Sequence, residues 1–295
     1  MEILTVRPTE KTAVALGFFD GLHLGHRAVI GRVIGRDGFA PSVFTFDSNS
    51  VLPKFGTPQM LFSWEVKLSI LEEMGVRYVY APSFSEVKEL SGDEFVGRIL
   101  VDKFNAGMVS CGFDFHFGKG GKCGADELIR LCAEHGIDVE VVPPQKYGDR
   151  IISSTEIRDL LKSGQVKLAN KLLGSPISYI AVVEHGHEIG RTLEFPTINQ
   201  HFPENMLIPA EGVYKSSVFI DGKEYCGATS IGVRPTFDKE PKPLMETYIL
   251  GFDGNLYGKK IKLSLLDYIR GQKKFSSPDE LIKQMKHDVK YIRGE

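Results

Sequence analysis

The sequence predicts two domains of different class: an α/β domain with a parallel sheet, followed by an antiparallel β-barrel with a terminal helix. In the first half, short apolar runs alternate with helical patterns, which is typical of a parallel sheet covered by helices. In the second half, short β-rich runs are separated by turns such as Asp221-Gly222 and Asp253-Gly254. The length of 295 residues is enough for two hydrophobic cores.

The first half contains apolar runs typical of buried strands, and the segments between them repeat apolar residues near the helical period. Ligands of parallel sheets bind at the carboxyl ends of the strands, so we expect the chemistry of this half in the loops that follow them. The predicted strands are residues 13–16, 42–46, 78–81, 108–111 and 138–142, and the predicted helices are residues 26–33, 65–74, 92–103 and 125–135.

A helical pattern over residues 153–173 joins the two halves and ends at Gly174-Ser175-Pro176. We therefore predict a first domain over residues 1–174 and a second over residues 175–295. Apolar residues at helical spacing predict a final helix that begins near residue 277 and ends near residue 292. The predicted strands of the second domain are residues 179–184, 213–220, 224–231, 246–252 and 260–266.

The composition favours a folded, soluble protein that must hold any anionic ligand locally. With a formal net charge of -2, the chain lacks the basic field that drives non-specific binding to nucleic acids or membranes. Its four cysteines show neither a CxxC pair nor zinc-ligand spacing, which favours buried free thiols in a reducing compartment. No signal-peptide pattern and no membrane-spanning apolar run is present. We expect a cytoplasmic protein with no nucleic-acid, membrane or obligate protein partner.

The first predicted strand leads into Gly-Phe-Phe-Asp-Gly-Leu-His-Leu-Gly-His, residues 17–26, and then into a helix. Glycines at such a turn let the backbone approach a phosphate, and a helix start adds unpaired amides at the positive end of the dipole. Because His23 and His26 are three residues apart, both imidazoles can face one anion. The alternative is a packed loop with incidental histidines.

Two further segments of the first half carry polar residues where a nucleotide could bind. Residues 152–158, Ile-Ser-Ser-Thr-Glu-Ile-Arg, place hydroxyls at a predicted helix start and Arg158 one turn later, which suits phosphate. An ordinary capped helix is the alternative. Residues 111–118, Cys-Gly-Phe-Asp-Phe-His-Phe-Gly, follow a strand and offer Asp114 and aromatic rings, with packing as the alternative.

These three segments resemble the signatures of bacterial FAD synthetases, whose N-terminal domain is a Rossmann-like nucleotidyltransferase. The resemblance implies that FMN attacks ATP, while His23 and His26 stabilise charge on the α-phosphate as pyrophosphate leaves. It also implies a phosphate contact for Arg158 and flavin contacts for Phe115 and Phe117. Further ATP or phosphate contacts are implied for Gly17, Phe19, Asp20, Gly25, Asp114, Ser153, Ser154 and Thr155.

The second half carries Gly-Arg-Thr-Leu-Glu-Phe-Pro-Thr-Ile-Asn, residues 190–199, which resembles the riboflavin kinase motif GRxLGFPTxN. The resemblance implies that Thr197 and Asn199 hold Mg²⁺ and the ATP phosphates, and Mg²⁺ prefers such oxygen ligands. It also implies that Glu246 is the general base for the riboflavin 5′-hydroxyl. Further implied contacts are those of Gly190 and Arg191 with ATP, and those of Arg234 and Arg270 with the flavin.

Over residues 13–292 the chain therefore resembles the bifunctional riboflavin kinase/FAD synthetases, which implies conversion of riboflavin to FMN and of FMN to FAD with ATP and Mg²⁺. Two departures from the family pattern leave alternatives open. Ser48-Asn49-Ser50 stands where the family has Pro-His-Pro, which favours a riboflavin kinase without adenylyl transfer as one alternative. Glu194 stands where the family has glycine, and the two departures together keep a non-catalytic flavin-binding regulator as another.

Overall fold

The computed structural model describes residues 1–47, 59–185, 195–233 and 243–294 of the chain. The chain divides into two compact units, the first comprising Met1–Pro58 and Lys67–Ser154, the second Gln59–Val66 and Thr155–Glu295. The domain boundary that the sequence predicts after residue 174 stays a prediction. Among the described residues, no helix combines the length and the apolar character needed to cross a membrane.

A parallel sheet of six strands forms the centre of the first unit, which confirms the α/β prediction. The strands are β1 (Glu2–Ile3), β2 (Thr12–Leu16), β3 (Ala40–Phe44), β4 (Tyr78–Tyr80), β5 (Ala106–Gly112) and β6 (Asp138–Val142). They lie in the order β1-β4-β3-β2-β5-β6. Strand β2 is buried along its whole length, because it lies inside the sheet between β3 and β5.

Helices separate these strands in the chain, as the apolar periodicity predicts. They are α1 (Leu24–Gly31), α2 (Trp64–Glu73), α3 (Phe84–Val87), α4 (Gly92–Glu94) with a π-helical continuation over Phe95–Lys103, and α5 (Ala125–Ala133). A 3₁₀ turn covers Lys119–Gly121, and a short hairpin pairs β7 (Lys146–Tyr147) with β8 (Arg150–Ile151). Strand β1, the short helix α3, the 3₁₀ turn and the hairpin are additions to the elements that the sequence predicts.

The carboxyl ends of the central strands meet at one edge of the sheet. Leu16, the last residue of β2, lies opposite Phe44 of β3 and Cys111 of β5. The turns that follow these three strands therefore begin side by side. Two of the segments that the sequence assigns to nucleotide binding, residues 17–26 and 111–118, lie at this edge, at the ends of β2 and β5.

An antiparallel sheet of six strands dominates the second unit. The strands are β9 (Ile177–Val182), β10 (Thr197–His201), β11 (Gly212–Ile220), β12 (Lys223–Val233), β13 (Pro243–Ile249) and β14 (Lys260–Arg270). They lie in the order β10-β13-β12-β11-β14-β9. The remaining helices are α6 (Ser154–Lys162), α7 (Val166–Leu173) and the terminal α8 (Pro278–Arg293).

The outer strands of this sheet, β9 and β10, approach each other and close it into a barrel. The amide of Glu184 donates to the carbonyl oxygen of Asn199 at 2.9 Å. The buried side chain of Gln200 donates to the carbonyl oxygens of Ala181 at 2.8 Å and Ile261 at 3.0 Å. These bonds join the sheet edges, so the prediction of an antiparallel barrel is confirmed. The predicted terminal helix is confirmed by α8.

Two sequence predictions are wrong in detail. The helical stretch predicted over residues 153–173 is two helices, because Gly164 adopts a φ of 77° between α6 and α7. All four cysteines are free, as expected, and Cys111 and Cys132 are buried. Cys226, however, is exposed, because side chains alternate along β12 and this one faces solvent.

Candidate active sites

The turn after β2 has an unusual backbone. Phe19 and Leu22 adopt positive φ angles of 52° and 43°, and Gly21 adopts 82°. Positive φ is strained for residues other than glycine, so surrounding contacts must hold this turn. A Cβ atom at Gly17 would lie 2.7 Å from the ring of Phe19, so glycine is required there. Three predicted ATP contacts, Gly17, Phe19 and Asp20, follow β2 directly.

The predicted histidine pair lies at the start of α1. His23 caps this helix, and its Nδ1 accepts a hydrogen bond from the amide of His26 at 3.3 Å. The two imidazole rings stack with 3.6 Å between their centroids, and the ring of Phe19 packs edge-on against His26. A Cβ atom at Gly25 would lie 3.0 Å from the ring of His23. Gly25 therefore makes room for the stacked pair.

Both imidazoles are neutral near pH 7. Burial lowers the pKa of His23 to about 4. Burial also lowers the pKa of His26 well below its usual range, and the neighbouring His23 and Lys67 act in the same direction. Because Nδ1 of His23 is a hydrogen-bond acceptor, the neutral ring carries its proton on Nε2. His23 thus offers a phosphate an N–H donor rather than a full positive charge.

A buried lysine that no sequence motif includes lies beside this turn. Lys67, on α2, is 2% exposed, and its Nζ donates to the carbonyl oxygen of Phe18 at 2.9 Å. The hydroxyl of Thr45, which follows β3, donates to the same oxygen at 2.8 Å. The sequence does carry a signal for this burial, because Lys67 lies at helical spacing from the apolar Ile70 and Leu71.

The second predicted phosphate-binding segment forms the start of α6. The hydroxyl of Ser154, the first residue of this helix, donates to the carbonyl oxygen of Asp20 at 2.9 Å. Ser153 is half-buried, and Thr155 is exposed. The bond from Ser154 joins this segment to the turn after β2, so two sequence-distant motifs meet.

The aromatic segment after β5 contributes strongly to packing. Phe117, a predicted flavin contact, is 6% exposed and packs against Phe95 with 5.3 Å between the ring centroids. Phe115 is half-buried and stacks on Phe117 at 5.8 Å. Asp114 is exposed, and Phe113, another aromatic residue of this segment, is 49% exposed. Phe113 and Asp114 are thus more accessible to a ligand than the two predicted flavin contacts.

The second candidate site lies on β10 and β13. Their antiparallel register places Asn199 directly opposite Glu246, and Thr197 opposite Tyr248. Because side chains alternate along a strand, Thr197, Asn199 and Glu246 share one face of the sheet. Directly opposed residues have Cβ atoms about 5 Å apart, so hydroxyl, amide and carboxylate oxygens lie close together there. The barrel thus joins the motif to a glutamate far away in the sequence.

The opposite face of β13 is fixed by hydroxyl groups. The hydroxyl of Thr247 pairs with that of Thr229 at 2.8 Å, and Thr229 pairs with Ser216 at 2.7 Å. All three side chains are fully buried. Since neighbouring side chains of a strand point to opposite faces, this buried chain of hydroxyls fixes the face on which Glu246 lies.

The two predicted arginines within the described residues both bind protein groups. The Nε of Arg158, on α6, donates to the carbonyl oxygen of Gln59 at 2.9 Å. Arg270 ends β14, and its guanidinium pairs with Asp288 of α8, with a shortest N–O distance of 2.7 Å. Asp288 is 3% exposed and also accepts a hydrogen bond from Gln284. Arg270, a predicted flavin contact, therefore holds the terminal helix.

Several predicted positions lie outside the described residues. These are the predicted contacts Gly190, Arg191 and Arg234, and the departures Ser48-Asn49-Ser50 and Glu194. Within the described ranges, no group of three or more His, Cys, Asp or Glu side chains could hold a metal ion. The predicted Mg²⁺ ligands, Thr197 and Asn199, do not belong to these four residue types, and they would offer a hydroxyl and an amide oxygen to the metal.

Comparison with known families assigns each half of the chain to a different model. The FAD synthetase model matches residues 6–156, and the riboflavin kinase model matches residues 173–294. A bifunctional riboflavin kinase/FMN adenylyltransferase of Bacillus subtilis is 34% identical over 287 residues, which cover 94% of this chain and 90% of the relative. One from Listeria monocytogenes is 36% identical over 288 residues, which cover 95% and 91%.

A solved structure agrees with this chain over almost its full length. It is described as a macrolide-efflux protein from Streptococcus pneumoniae, with a TM-score of 0.88 and 31% identity over 99% of this chain and 96% of that chain. The FAD synthetase model covers the histidine pair, the riboflavin kinase model covers the Asn199–Glu246 pair, and the sequence relatives match nearly the whole chain. The chain therefore belongs to the family of bifunctional riboflavin kinase/FMN adenylyltransferases.

Proposed function

We propose that this protein phosphorylates riboflavin to FMN and adenylylates FMN to FAD, with ATP as the donor in both reactions. The observation that carries the proposal is the match of two family models, one over the part of the chain with the histidine pair and the other over the part with the Asn199–Glu246 pair. The riboflavin kinase match includes Asn199 and Glu246, and the FAD synthetase match includes His23 and His26.

In the phosphoryl transfer, Glu246 is the general base. Its carboxylate accepts the proton of the riboflavin 5′-hydroxyl while that oxygen attacks the γ-phosphorus of ATP and ADP leaves. Thr197 and Asn199 would hold Mg²⁺, because hydroxyl and amide oxygens suit this hard cation, and the ion would neutralise phosphate charge. The cross-strand register pairs Glu246 with Asn199, which supports a base close to the proposed Mg²⁺ ligands.

In the adenylyl transfer, the imidazoles act as hydrogen-bond donors. A phosphate oxygen of FMN attacks the α-phosphorus of ATP, and the bond to pyrophosphate breaks. His23 donates through Nε2 and, with the start of α1, stabilises the charge of the transition state. His26 is aligned for the same oxygens by its stack on His23. The attacking phosphate is already ionised near pH 7, so neutral imidazoles are sufficient.

The other predicted residues support these two reactions. Phe117 packs in the core and Arg270 pairs with Asp288, and both remain proposed flavin contacts. The remaining proposed ATP contacts are Gly17, Phe19, Asp20, Gly25, Asp114, Ser153, Ser154, Thr155, Arg158, Gly190 and Arg191, and the remaining flavin contacts are Phe115 and Arg234. We assign adenylyl transfer to residues 1–174 and phosphorylation to residues 175–295, in a cytoplasmic enzyme without an obligate protein partner.

Two alternatives follow from the departures in the sequence. Ser48-Asn49-Ser50 motivates a riboflavin kinase that lacks adenylyl transfer, and the further change at Glu194 motivates a flavin-binding regulator. The stacked histidines and the pairing of Asn199 with Glu246 support the enzyme with two activities over both alternatives.

Chromatography of the flavins formed by the purified protein tests the proposal. One reaction contains riboflavin, ATP and Mg²⁺, and a second contains FMN in place of riboflavin. We expect FMN and FAD from riboflavin, and FAD from FMN. FMN from riboflavin without FAD in either reaction would identify a kinase alone, and no product in either reaction would identify the flavin-binding regulator.

A further inference from the structure

Lys67 is a buried lysine in a place where packing does not require a charge. Lysine is almost never fully buried without partners, yet Lys67 is 2% exposed. Its Nζ lies 2.9 Å from the carbonyl oxygen of Phe18, 3.5 Å from the hydroxyl of Thr45 and 5.0 Å from the centroid of the Phe18 ring. A methionine of similar length would fill this space without desolvating a charge. The ammonium therefore points to a role beyond packing.

Side-chain hydrogen bonds to the carbonyl group of Phe18 stabilise the turn after β2. Its oxygen accepts hydrogen bonds from Lys67 and Thr45, which together occupy both lone pairs. The next residue, Phe19, has a positive φ of 52°, a conformation that persists where surrounding structure holds it. The ring of Phe19 lies 5.3 Å from that of His26, edge to face. Contacts thus run continuously from Lys67 through Phe18 and Phe19 to His26.

The ammonium of Lys67 also faces charged and titratable groups. Burial lowers the pKa of Lys67 to about 8, although Asp20 in the turn favours the charged form. Lys67 also lowers the pKa of His26 on α1, in addition to the effects of burial and of His23. The hydroxyl of Thr45, the residue after β3, also faces the ammonium but does not titrate near neutral pH. A cation at Lys67 therefore accompanies a neutral donor at His26.

We propose that Lys67 is a positioning residue for adenylyl transfer: its ammonium holds the carbonyl group of Phe18 and, through Phe19, aligns His26 with the α-phosphate. This inference rests on the proposed function of the N-terminal site. Lys67 acts through the turn and not on the reacting atoms. The charge of Lys67, as well as its bulk, therefore sets the rate of FAD formation.

The first test compares Lys67→Met with Lys103→Met in the full chain. Lys103 is a matched control outside the turn, because its Nζ donates to the carbonyl oxygen of Thr5 at 2.7 Å and lies 4.9 Å from the centroid of the Tyr80 ring. We expect Lys67→Met to lower kcat for FAD formation from FMN by roughly tenfold or more, and to leave riboflavin phosphorylation within about twofold. Lys103→Met should change neither rate. FAD formation within about twofold of the wild type in Lys67→Met would overturn the proposal.

The pH profile separates the effect of the charge from that of the bulk. FAD formation by the wild type should fall above a pKa of about 8 towards the rate of Lys67→Met, because the ammonium of Lys67 is lost there. Lys67→Arg, measured relative to its own maximum, should lack this fall, since a guanidinium stays charged. The same fall in Lys67→Arg would assign the titration to another group and overturn the proposal.

Hydrogen exchange tests the same role without catalysis. The amides of residues 17–22 should exchange roughly tenfold faster in Lys67→Met than in the wild type, and at the wild-type rate in Lys103→Met. Faster exchange in Lys67→Met, combined with no FAD from the wild type, would reject the proposed function but support Lys67 as the residue that holds the turn. Unchanged exchange would overturn the inference even where the wild type forms FAD.

Discussion

The N-terminal site and the barrel site are built on opposite kinds of backbone. The N-terminal site is centred on one short segment, whose turn has positive φ angles at Phe19 and Leu22. The barrel site is spread over regular strands, where Asn199 meets Glu246 because β10 and β13 pair in one register. We therefore expect the first site to be sensitive to its neighbours, and the second to depend mainly on its reacting groups.

The largest effect is expected at the reacting group of the barrel. Glu246→Gln keeps the size of the side chain but removes the base, so the initial rate of FMN formation from riboflavin should fall by roughly 10²-fold or more. FAD formation from added FMN should stay normal. The exposed Glu224 of β12 offers a matched control, and Glu224→Gln should change neither rate. A near-normal kinase rate in Glu246→Gln would refute the assignment of the base.

The next largest effect is expected at the histidine pair. His26→Ala removes one donor of the stacked pair, so FAD formation from FMN should fall by roughly 10²-fold while FMN formation from riboflavin is spared. His135→Ala removes an exposed histidine of the same unit and should affect neither rate. Equal loss of both products in His26→Ala would contradict the separation of the sites.

A smaller effect is expected from a neighbour of the pair. In Gly25→Ala, the new Cβ atom would lie 3.0 Å from the ring of His23 and displace it, so FAD formation should fall roughly tenfold. Alanine is favoured over glycine in a helix by up to about 1 kcal/mol, so thermal stability should not fall in parallel. Gly31→Ala on the same helix meets no atom within 4 Å and should leave the rate normal. A normal rate in Gly25→Ala would show that the stack is dispensable.

The smallest effect on activity is expected inside the barrel. Thr229→Val is nearly isosteric but removes the hydroxyl that links Ser216 with Thr247. Urea denaturation should show that the free energy of unfolding falls by roughly 1–3 kcal/mol, because buried hydroxyls lose a partner. The kinase rate of the folded variant should remain within a few-fold of the wild type. Complete loss of that rate would contradict the expected tolerance of the strand-built site.

The order and type of most elements could be predicted because apolar periodicity marks helices and strands, and residues 17–26 form a contiguous motif. Strand β10, which carries Thr197 and Asn199, was not among the predicted strands. The helix break at Gly164 was not predicted, since a single glycine does not by itself end a helical pattern. Lys67 was not predicted, because a lysine in a helix is usually a surface residue. The meeting of Asn199 with Glu246 depends on strand register, so only the family resemblance indicated it.

Complementation between two variants tests most directly the claim that the chain holds two independent active sites. With riboflavin, ATP and Mg²⁺, Glu246→Gln alone should form almost no FAD because it lacks FMN, and His26→Ala alone should stop at FMN. An equimolar mixture should form FAD, because FMN released by the His26→Ala protein is a substrate of the Glu246→Gln protein. A mixture that forms no FAD, while Glu246→Gln still converts added FMN, would contradict the account.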